Sequence, residues 1–280
     1  MGHKTNDKVM VTPEMAAEIL KGNTKNRSLQ SAVVRDYADD MASGRWRHTS
    51  QGIAIADDGT LVDGQHRLAA VIKCGLTVPF TVAYGCDPDD RMVADRNRRR
   101  SLGDMFHMEG ERNTTVLAAT IGWIASWEDG APHLHGRGRR PSTLHGLEIL
   151  ERHPDLRRSV SVVESARAQG QIRFATSAAA CVHYIVSRED PGMADLFTES
   201  AALCSGVVPG DPEWALHKWL AFAAQKDRRS LSPERQHHGW LLAWNARADG
   251  RKLKRIVPRG QKMPWPSGLD RRFFIDRMSE

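Results

Sequence analysis

The segment 63–67, which reads Asp-Gly-Gln-His-Arg, holds the residues best suited by type and spacing to chemistry. An apolar run precedes it, and apolar residues at helical spacing follow it as far as Gly75. A strand that turns through a glycine into a helix leaves unpaired backbone N–H groups, which together with the helix dipole attract anions. The side chains of Gln65, His66 and Arg67 fall in the first helical turn. The segment therefore predicts a phosphate-binding helix start.

The length and composition indicate a globular protein with a basic balance. The chain has 280 residues, of which 40% are hydrophobic and 26% charged, and its formal net charge is +6. This length is enough for one large or two small domains. The charge is compatible with nucleic acid or another polyanion as partner, and equally with a solvated basic surface.

The cysteines indicate neither a zinc site nor a disulfide framework. Cys74, Cys86, Cys181 and Cys204 are scattered, without metal-ligand spacing. No apolar segment resembles a signal peptide or is long enough to span a membrane. We therefore expect a cytoplasmic protein without a membrane partner.

The first third of the chain predicts a mixed α+β arrangement. Residues 1–8 are polar, and we expect them to be loose. Thr12 is a helix N-cap followed by Pro13 at the first helical position. Further elements are predicted as a helix at 31–43, strands at 53–56 and 60–63 joined by an Asp-Asp-Gly turn, a helix ending at Gly75 and a strand at 78–84.

The rest of the chain predicts helices. After a helix capped by Ser101 and another beginning near Asn113, the pattern gives helices near 142–152, 155–169, 175–187, 191–203, 212–226 and 232–248. The predicted domains are residues 1–108, of α+β class, and residues 109–280, mainly helical. Trp214, Trp219, Trp240 and Trp244 repeat at helical spacing, which is more typical of core packing than of base stacking.

The stretch from Gly64 to Ala70, followed by Gly75-Leu76 and Val78-Pro79, resembles the second conserved box of ParB-like proteins. In that family a strand enters a Gly-Glu-Arg-Arg helix start, the helix ends at Gly-Leu, and the next strand opens with Val-Pro. The Asp-Gly-Gln-His-Arg form resembles the variant in ParB-like phage proteins. The preceding helix, with Asn26-Arg27 ahead of it and Gly44 behind it, is similar in placement to the family's first box. The resemblance covers about residues 10–85.

The resemblance implies a ParB/sulfiredoxin-like fold with a small mixed sheet. It also implies binding of a nucleoside triphosphate with Mg²⁺ at the helix start, with Gly64, Gln65, His66 and Arg67 holding the phosphates. Family members hydrolyse the nucleotide, transfer its phosphoryl group or act as nucleases, and many act on DNA. A phage-borne protein would work in the host cytoplasm.

The motif departs from the family at several positions. Gln65 replaces a glutamate, His66 replaces the first arginine, and Ala69 stands where a further arginine is usual. We therefore expect Asp63 to supply the metal-binding or catalytic carboxylate, and His66 to relay a proton. The alternatives are structural: Asp63 as a helix cap and Arg67 as the partner of a carboxylate. Arg67 is the strongest phosphate-binding candidate because its guanidinium matches phosphate oxygens.

Two arginine-rich runs are candidates for DNA contact. The first contains Arg96, Arg98, Arg99 and Arg100, and the second contains Arg137, Arg139 and Arg140 in a Gly-rich loop. A third basic patch spans residues 251–255. Each has the alternative of a solvated loop or tail.

The leading hypothesis is a ParB-like, DNA-associated protein that binds a nucleotide or DNA phosphate at the 63–67 segment. Phosphoryl chemistry there would be NTP hydrolysis, phosphoryl transfer or phosphodiester cleavage. The alternatives are a non-catalytic DNA-binding or regulatory protein, which the loss of the glutamate at position 65 favours, and an enzyme of DNA-base modification.

Overall fold

The structure, a computed structural model, describes residues 5–24, 26, 28–49, 51–87, 101–130, 141–226, 232–259 and 262–274. The chain divides into two compact units, Met1–Arg100 and Ser101–Glu280. The first is an α+β unit with a four-stranded sheet, and the second is mainly helical. The division precedes the helix that the sequence analysis assigned to the end of the first domain.

The described residues of the first unit form four strands and three helices. In chain order they are β1 (Thr5–Val11), α1 (Pro13–Lys21), α2 (Ser31–Ala42), β2 (Ile53–Ala56), β3 (Leu61–Asp63), α3 (Gln65–Cys74) and β4 (Val78–Cys86). The strand order is β1-β4-β2-β3. β1–β4 and β2–β3 are antiparallel and β2–β4 is parallel, so the sheet is mixed.

Local signals explain most of these elements. The Thr12 hydroxyl accepts a hydrogen bond from the Met15 N–H at 3.2 Å, which caps α1 as predicted. Gly59 adopts a left-handed φ of 82° in the β2–β3 turn, and Gly75 adopts 70° at the end of α3. The apolar sides of the three helices meet the sheet in one core that includes Leu68, Val71 and Phe80.

The prediction that residues 1–8 are loose is wrong from Thr5 onward, where β1 begins. β1 pairs with β4 along its whole length, from Thr5 opposite Tyr84 to Val11 opposite Val78. The polar residues of β1 prevented its prediction from sequence. An edge strand tolerates polar side chains that face water, because its backbone still forms hydrogen bonds with one neighbouring strand. Val11 is fully buried and Met10 is 54% exposed, so the strand alternates at its end.

The second unit consists of helices around one large core. They are α4 (Leu102–Met108), α5 (Thr114–Glu128), α6 (Thr143–Arg152), α7 (Leu156–Gln169), α8 (Thr176–Val186), α9 (Pro191–Leu203), α10 (Pro212–Lys226) and α11 (Pro233–Ala248), with a 3₁₀ turn at Arg271–Phe274. The predicted helix positions are confirmed to within one or two residues. Among the residues described, no helix combines the length and apolar character needed to cross a membrane.

α8 is the central helix of this core. All of its residues except Ser177 are buried. Trp240 and Trp244 of α11 are buried as predicted, whereas Trp214 and Trp219 of α10 are partly exposed. The tryptophan spacing thus predicted core packing correctly for α11 and only in part for α10.

His237 is a fully buried polar residue within this core. Its Nδ1 donates to the Ala178 carbonyl at 3.1 Å, its Nε2 accepts from the Trp127 indole at 3.1 Å, and its ring stacks on Trp123. Burial lowers the pKa of His237 to about 3. Because both ring nitrogens are hydrogen-bonded within the core, the neutral imidazole of His237 is part of the packing.

We expect the second unit to lose stability on acidification because the unfolded His237 takes up a proton that the folded one excludes. The pKa is lower in the folded state, so this contribution is complete above about pH 6.5 and declines as the pH falls toward about 3. Between about pH 6 and 5, His237→Gln should lower the slope of the free energy of unfolding against pH by the equivalent of about one proton. Hydrogen exchange of α8 amides in urea measures this free energy at each pH. His107→Gln, an exposed histidine of α4, is the control and should leave the slope unchanged.

We expect Val11→Ala to destabilise the first unit by about 2 kcal/mol, because it removes buried methyl groups. Met10→Ala, on the exposed face of the same strand, should change stability by less than about 0.5 kcal/mol. Hydrogen exchange of β4 amides in urea reports the two values. Equal effects of the two substitutions would contradict the placement of β1.

Candidate functional site

Gly64 turns the chain from β3 into α3 and positions the predicted site. It is the N-cap of α3, with a left-handed φ of 109°. A Cβ at this position would lie 3.1 Å from Ile53 Cγ1 and 3.2 Å from Ile53 Cα. Only glycine suits both the φ angle and the close approach of the helix start to β2. The predicted strand-glycine-helix arrangement is present.

The Asp63 carboxylate contacts two residues of the same turn, Gly64 and Arg67. Its Oδ1 accepts the Gly64 N–H at 2.6 Å, and its Oδ2 lies 3.1 Å from Arg67 Nη2. Asp63 thus sits one residue ahead of the N-cap instead of being the N-cap itself. Its side chain is 55% exposed and Arg67's is 13% exposed. Such a partly exposed pair adds little to stability, but it fixes both side chains in orientation.

Arg67 is held at two points. Besides its pairing with Asp63, its Nε donates to the Gly52 carbonyl at 3.2 Å. Gly52 lies directly before β2, where a Cβ would stand 1.7 Å from the Thr81 carbonyl oxygen, so any side chain there would displace β4. A guanidinium has five N–H donors, and the described residues accept from two of them. Arg67 is therefore fixed in place with donor capacity remaining.

Gln65 is buried and held by a chain of amides. The Asn23 amide donates to Gln65 Oε1 at 3.0 Å, and the Asn26 amide donates both to Asn23 Oδ1 at 2.7 Å and to the Leu61 carbonyl at 2.7 Å. The Leu61 N–H in turn donates to the Gly22 carbonyl at 3.0 Å. The segment after α1 therefore binds the outer edge of β3 and orients Gln65 from outside the motif.

His66 accepts a hydrogen bond from the backbone N–H of Gln30, with 3.0 Å between Gln30 N and its Nε2. An accepting Nε2 carries no proton, so this contact requires the ring to be unprotonated at that atom. A proton-relay role through Nε2 requires this bond to open. The geometry shows His66 as a structural link between the start of α2 and the start of α3.

The structure places Asp63, Gly64, Gln65, His66 and Arg67 at the turn from β3 into α3. Asn23, Gln30 and Gly52, which the sequence did not indicate, contact this turn. Asn23 and Gln30 carry no local signal because their partners are 42 and 36 positions away. The arginines predicted to contact DNA, at 96, 98, 99, 100, 137, 139 and 140, lie outside the described residues.

Metal binding at Asp63 would rest on one protein carboxylate. Within the described ranges, no group of three or more histidine, cysteine or acidic side chains is arranged to hold a metal ion. Mg²⁺ in phosphoryl-transfer sites is often held by one or two carboxylates together with the phosphates. Asp63 fits that limited role, and its carboxylate is also paired with the Arg67 guanidinium.

No family model matches the chain, and neither a curated protein nor a solved structure is significantly similar to it.

We expect Asn23 and Gln65 to be energetically coupled, because each is the other's hydrogen-bond partner in a largely buried place. A double-mutant cycle of Asn23→Ala and Gln65→Ala should give a coupling free energy of about 0.5–3 kcal/mol. The free energies come from urea-dependent hydrogen exchange of α3 amides. Strict additivity of the two substitutions would show that the amide chain does not hold Gln65.

Proposed function

We propose that the 63–67 segment binds a phosphate group, of a nucleotide or of DNA, in a ParB-like DNA-associated protein. The observation that carries the proposal is Arg67, which Asp63 and Gly52 fix in the first turn of a helix that begins at a glycine. A guanidinium and a helix N-terminus at one place form an anion site. The mixed sheet and the motif's resemblance to the ParB box support the same assignment.

The first turn provides the contacts that such a ligand needs. The N-terminal turn of α3 supplies backbone N–H groups without intrahelical partners, and Gly64 contributes no side chain that would block approach. The buried Gln65 amide stiffens the turn through Asn23. The phosphate would form charge-assisted hydrogen bonds with Arg67, and Mg²⁺, carried with a triphosphate, would take Asp63 as its protein ligand.

Phosphoryl chemistry is the catalytic extension of this proposal. Positioning and charge neutralisation supply most of the catalysis in such reactions. Asp63 and His66 are the candidate catalytic residues, with His66 acting once its bond to Gln30 has opened.

A non-catalytic DNA-binding or regulatory role is the second candidate. Two observations favour it: Gln65 stands where the family has glutamate, and Asp63 is paired with Arg67. In this candidate the site binds phosphate and the reaction is absent.

We expect the protein to bind a nucleoside triphosphate with Mg²⁺, or DNA, and Arg67→Ala to weaken that binding about tenfold or more, as expected for the loss of a charged hydrogen-bond donor. Titration calorimetry with ATP, GTP and CTP measures the first affinity, and anisotropy of labelled DNA at several salt concentrations measures the second. Arg67→Lys keeps the positive charge but loses the planar guanidinium that can donate two parallel hydrogen bonds to phosphate, so its loss of affinity should be intermediate.

Lys73→Ala is the matched control, because Lys73 is an exposed cation in the last turn of the same helix. If no nucleotide binds and Arg67→Ala leaves the DNA affinity unchanged, the proposal is wrong. Phosphate release that His66→Ala abolishes would favour the catalytic form. Binding without any phosphate release would favour the regulatory form.

A further inference from the structure

The second unit contains an open groove of about 590 Å³ beside α10. Its lining from α10 includes Trp214, Lys218, Trp219 and Phe222, which are at positions i, i+4, i+5 and i+8 and so lie on one side of the helix. Lys254 and Arg255, here called the basic wall, and the buried Ile256 also line the groove. The groove thus combines large aromatic rings with cations.

The aromatic residues of the groove differ from the tryptophans of the core. Trp240 and Trp244 are at most 3% exposed, whereas Phe222 is 57% exposed and Trp214 and Trp219 are partly exposed. Exposed rings of this size are unfavourable in water. Their clustering in one groove therefore points to a flat, apolar ligand surface.

Backbone and side-chain contacts hold the basic wall in place. The Leu253 N–H donates to the Gly210 carbonyl at 2.8 Å, and Lys252 pairs with Asp211 at 2.7 Å. These contacts fix the segment after α11 next to the start of α10. Lys254 and Arg255 follow directly, and they are exposed.

The cations of the groove are not neutralised within the part of the chain described. Lys254 and Arg255 form no ion pair with any described residue, and Lys218 lies 5.8 Å from the centroid of the Trp214 ring without a carboxylate partner. The nearby acidic groups are engaged elsewhere: Asp211 with Lys252, and the buried Glu213 with Arg247 at 3.4 Å. The groove is therefore positively charged.

We propose that this groove binds single-stranded nucleic acid, with bases stacked on Phe222, Trp214 and Trp219 and phosphates paired with Lys218, Lys254 and Arg255. Proteins that bind single strands combine stacking rings with a basic track, because every base has a π-face and every nucleotide has a charge. A duplex hides its base faces and cannot use the rings. This site is separate from the 63–67 segment and does not depend on its function.

The positive charge of the groove favours single-stranded nucleic acid over an apolar ligand. An apolar helix or peptide would leave three cations without partners in a buried interface, which is costly. An acidic peptide would satisfy the cations but offers no flat face to stack on the rings. A single strand satisfies both sets.

The test is the anisotropy of a labelled oligothymidylate titrated with the full chain. Lys254→Glu combined with Arg255→Glu should weaken binding about tenfold or more and reduce its salt dependence. Phe222→Ala should weaken it about fivefold or more through lost stacking. Because Phe222 is largely exposed, this variant should fold normally.

Two control variants test whether any change of surface charge or any loss of an exposed apolar side chain weakens binding. Arg173→Glu reverses an exposed charge of the same unit outside the groove, and Leu196→Ala truncates a 54% exposed apolar residue on α9. Both should leave the affinity within about twofold of the unmodified chain. Arg67→Ala, made in parallel, separates this site from the one in the first unit.

Three outcomes would overturn the proposal. The groove variants could lose no more affinity than the controls. A duplex of equal length could bind as tightly with the same dependence on the groove. Polyglutamate could displace the oligothymidylate at equal charge concentration while Phe222→Ala has no effect, which would assign the groove to an acidic protein segment.

Discussion

The close approach of the start of α3 to β2 is the constraint on which the candidate site depends. Gly64 permits it, because at a φ of 109° its Cα lies where a Cβ would stand 3.1 Å from the Ile53 side chain. The approach puts the first turn of α3 next to the segment leading into β2, so that the Arg67 side chain reaches the Gly52 carbonyl. A larger separation between helix and strand would leave Arg67 without that contact, and its charge would be free to move.

A second requirement is that distant segments complete the turn. The segment after α1 lies along the edge of β3 and contributes the Asn23 and Asn26 amides, and the residue before α2 contributes the Gln30 N–H. Buried amides in such a chain stabilise only when every member has a partner. The geometry of the motif therefore depends on contacts from segments outside it, and its five residues alone do not specify that geometry.

These two requirements explain which features could be predicted from the sequence. Capping residues, the Asp-Asp-Gly turn, the glycine at the end of α3 and the helical periodicities act over a few residues, so the elements they define could be recognised. β1 could not be recognised from the sequence, because Asn6 and Lys8 are polar and adopt the strand conformation through pairing with Ala83 and Thr81. Asn23 and Gly52 likewise acquire their roles from residues far along the chain, and a single sequence gives no record of such contacts. The motif identified five consecutive residues at the start of α3, but not that Gln30 bonds to His66.

The distribution of ion pairs shows why net charge alone is a poor guide to polyanion binding in this protein. In the second unit Arg157 pairs with Glu111, Arg158 with Asp195, Arg188 with Asp155 and Arg251 with Asp249. Those guanidiniums are neutralised locally, and a phosphate would have to compete with a carboxylate already in place.

An anion is attracted most where a cation is fixed in position and its field is not cancelled nearby. The Arg67 guanidinium is fixed by Asp63 and by the Gly52 carbonyl, the described residues leave several of its N–H donors available, and the helix N-terminus adds positive potential. Along α10 the described carboxylates next to the groove, Asp211 and Glu213, pair with Lys252 and Arg247, and no described carboxylate pairs with Lys254 or Arg255. The fixed position and the surroundings of each cation, more than the formal charge of +6, therefore characterise the two candidate sites.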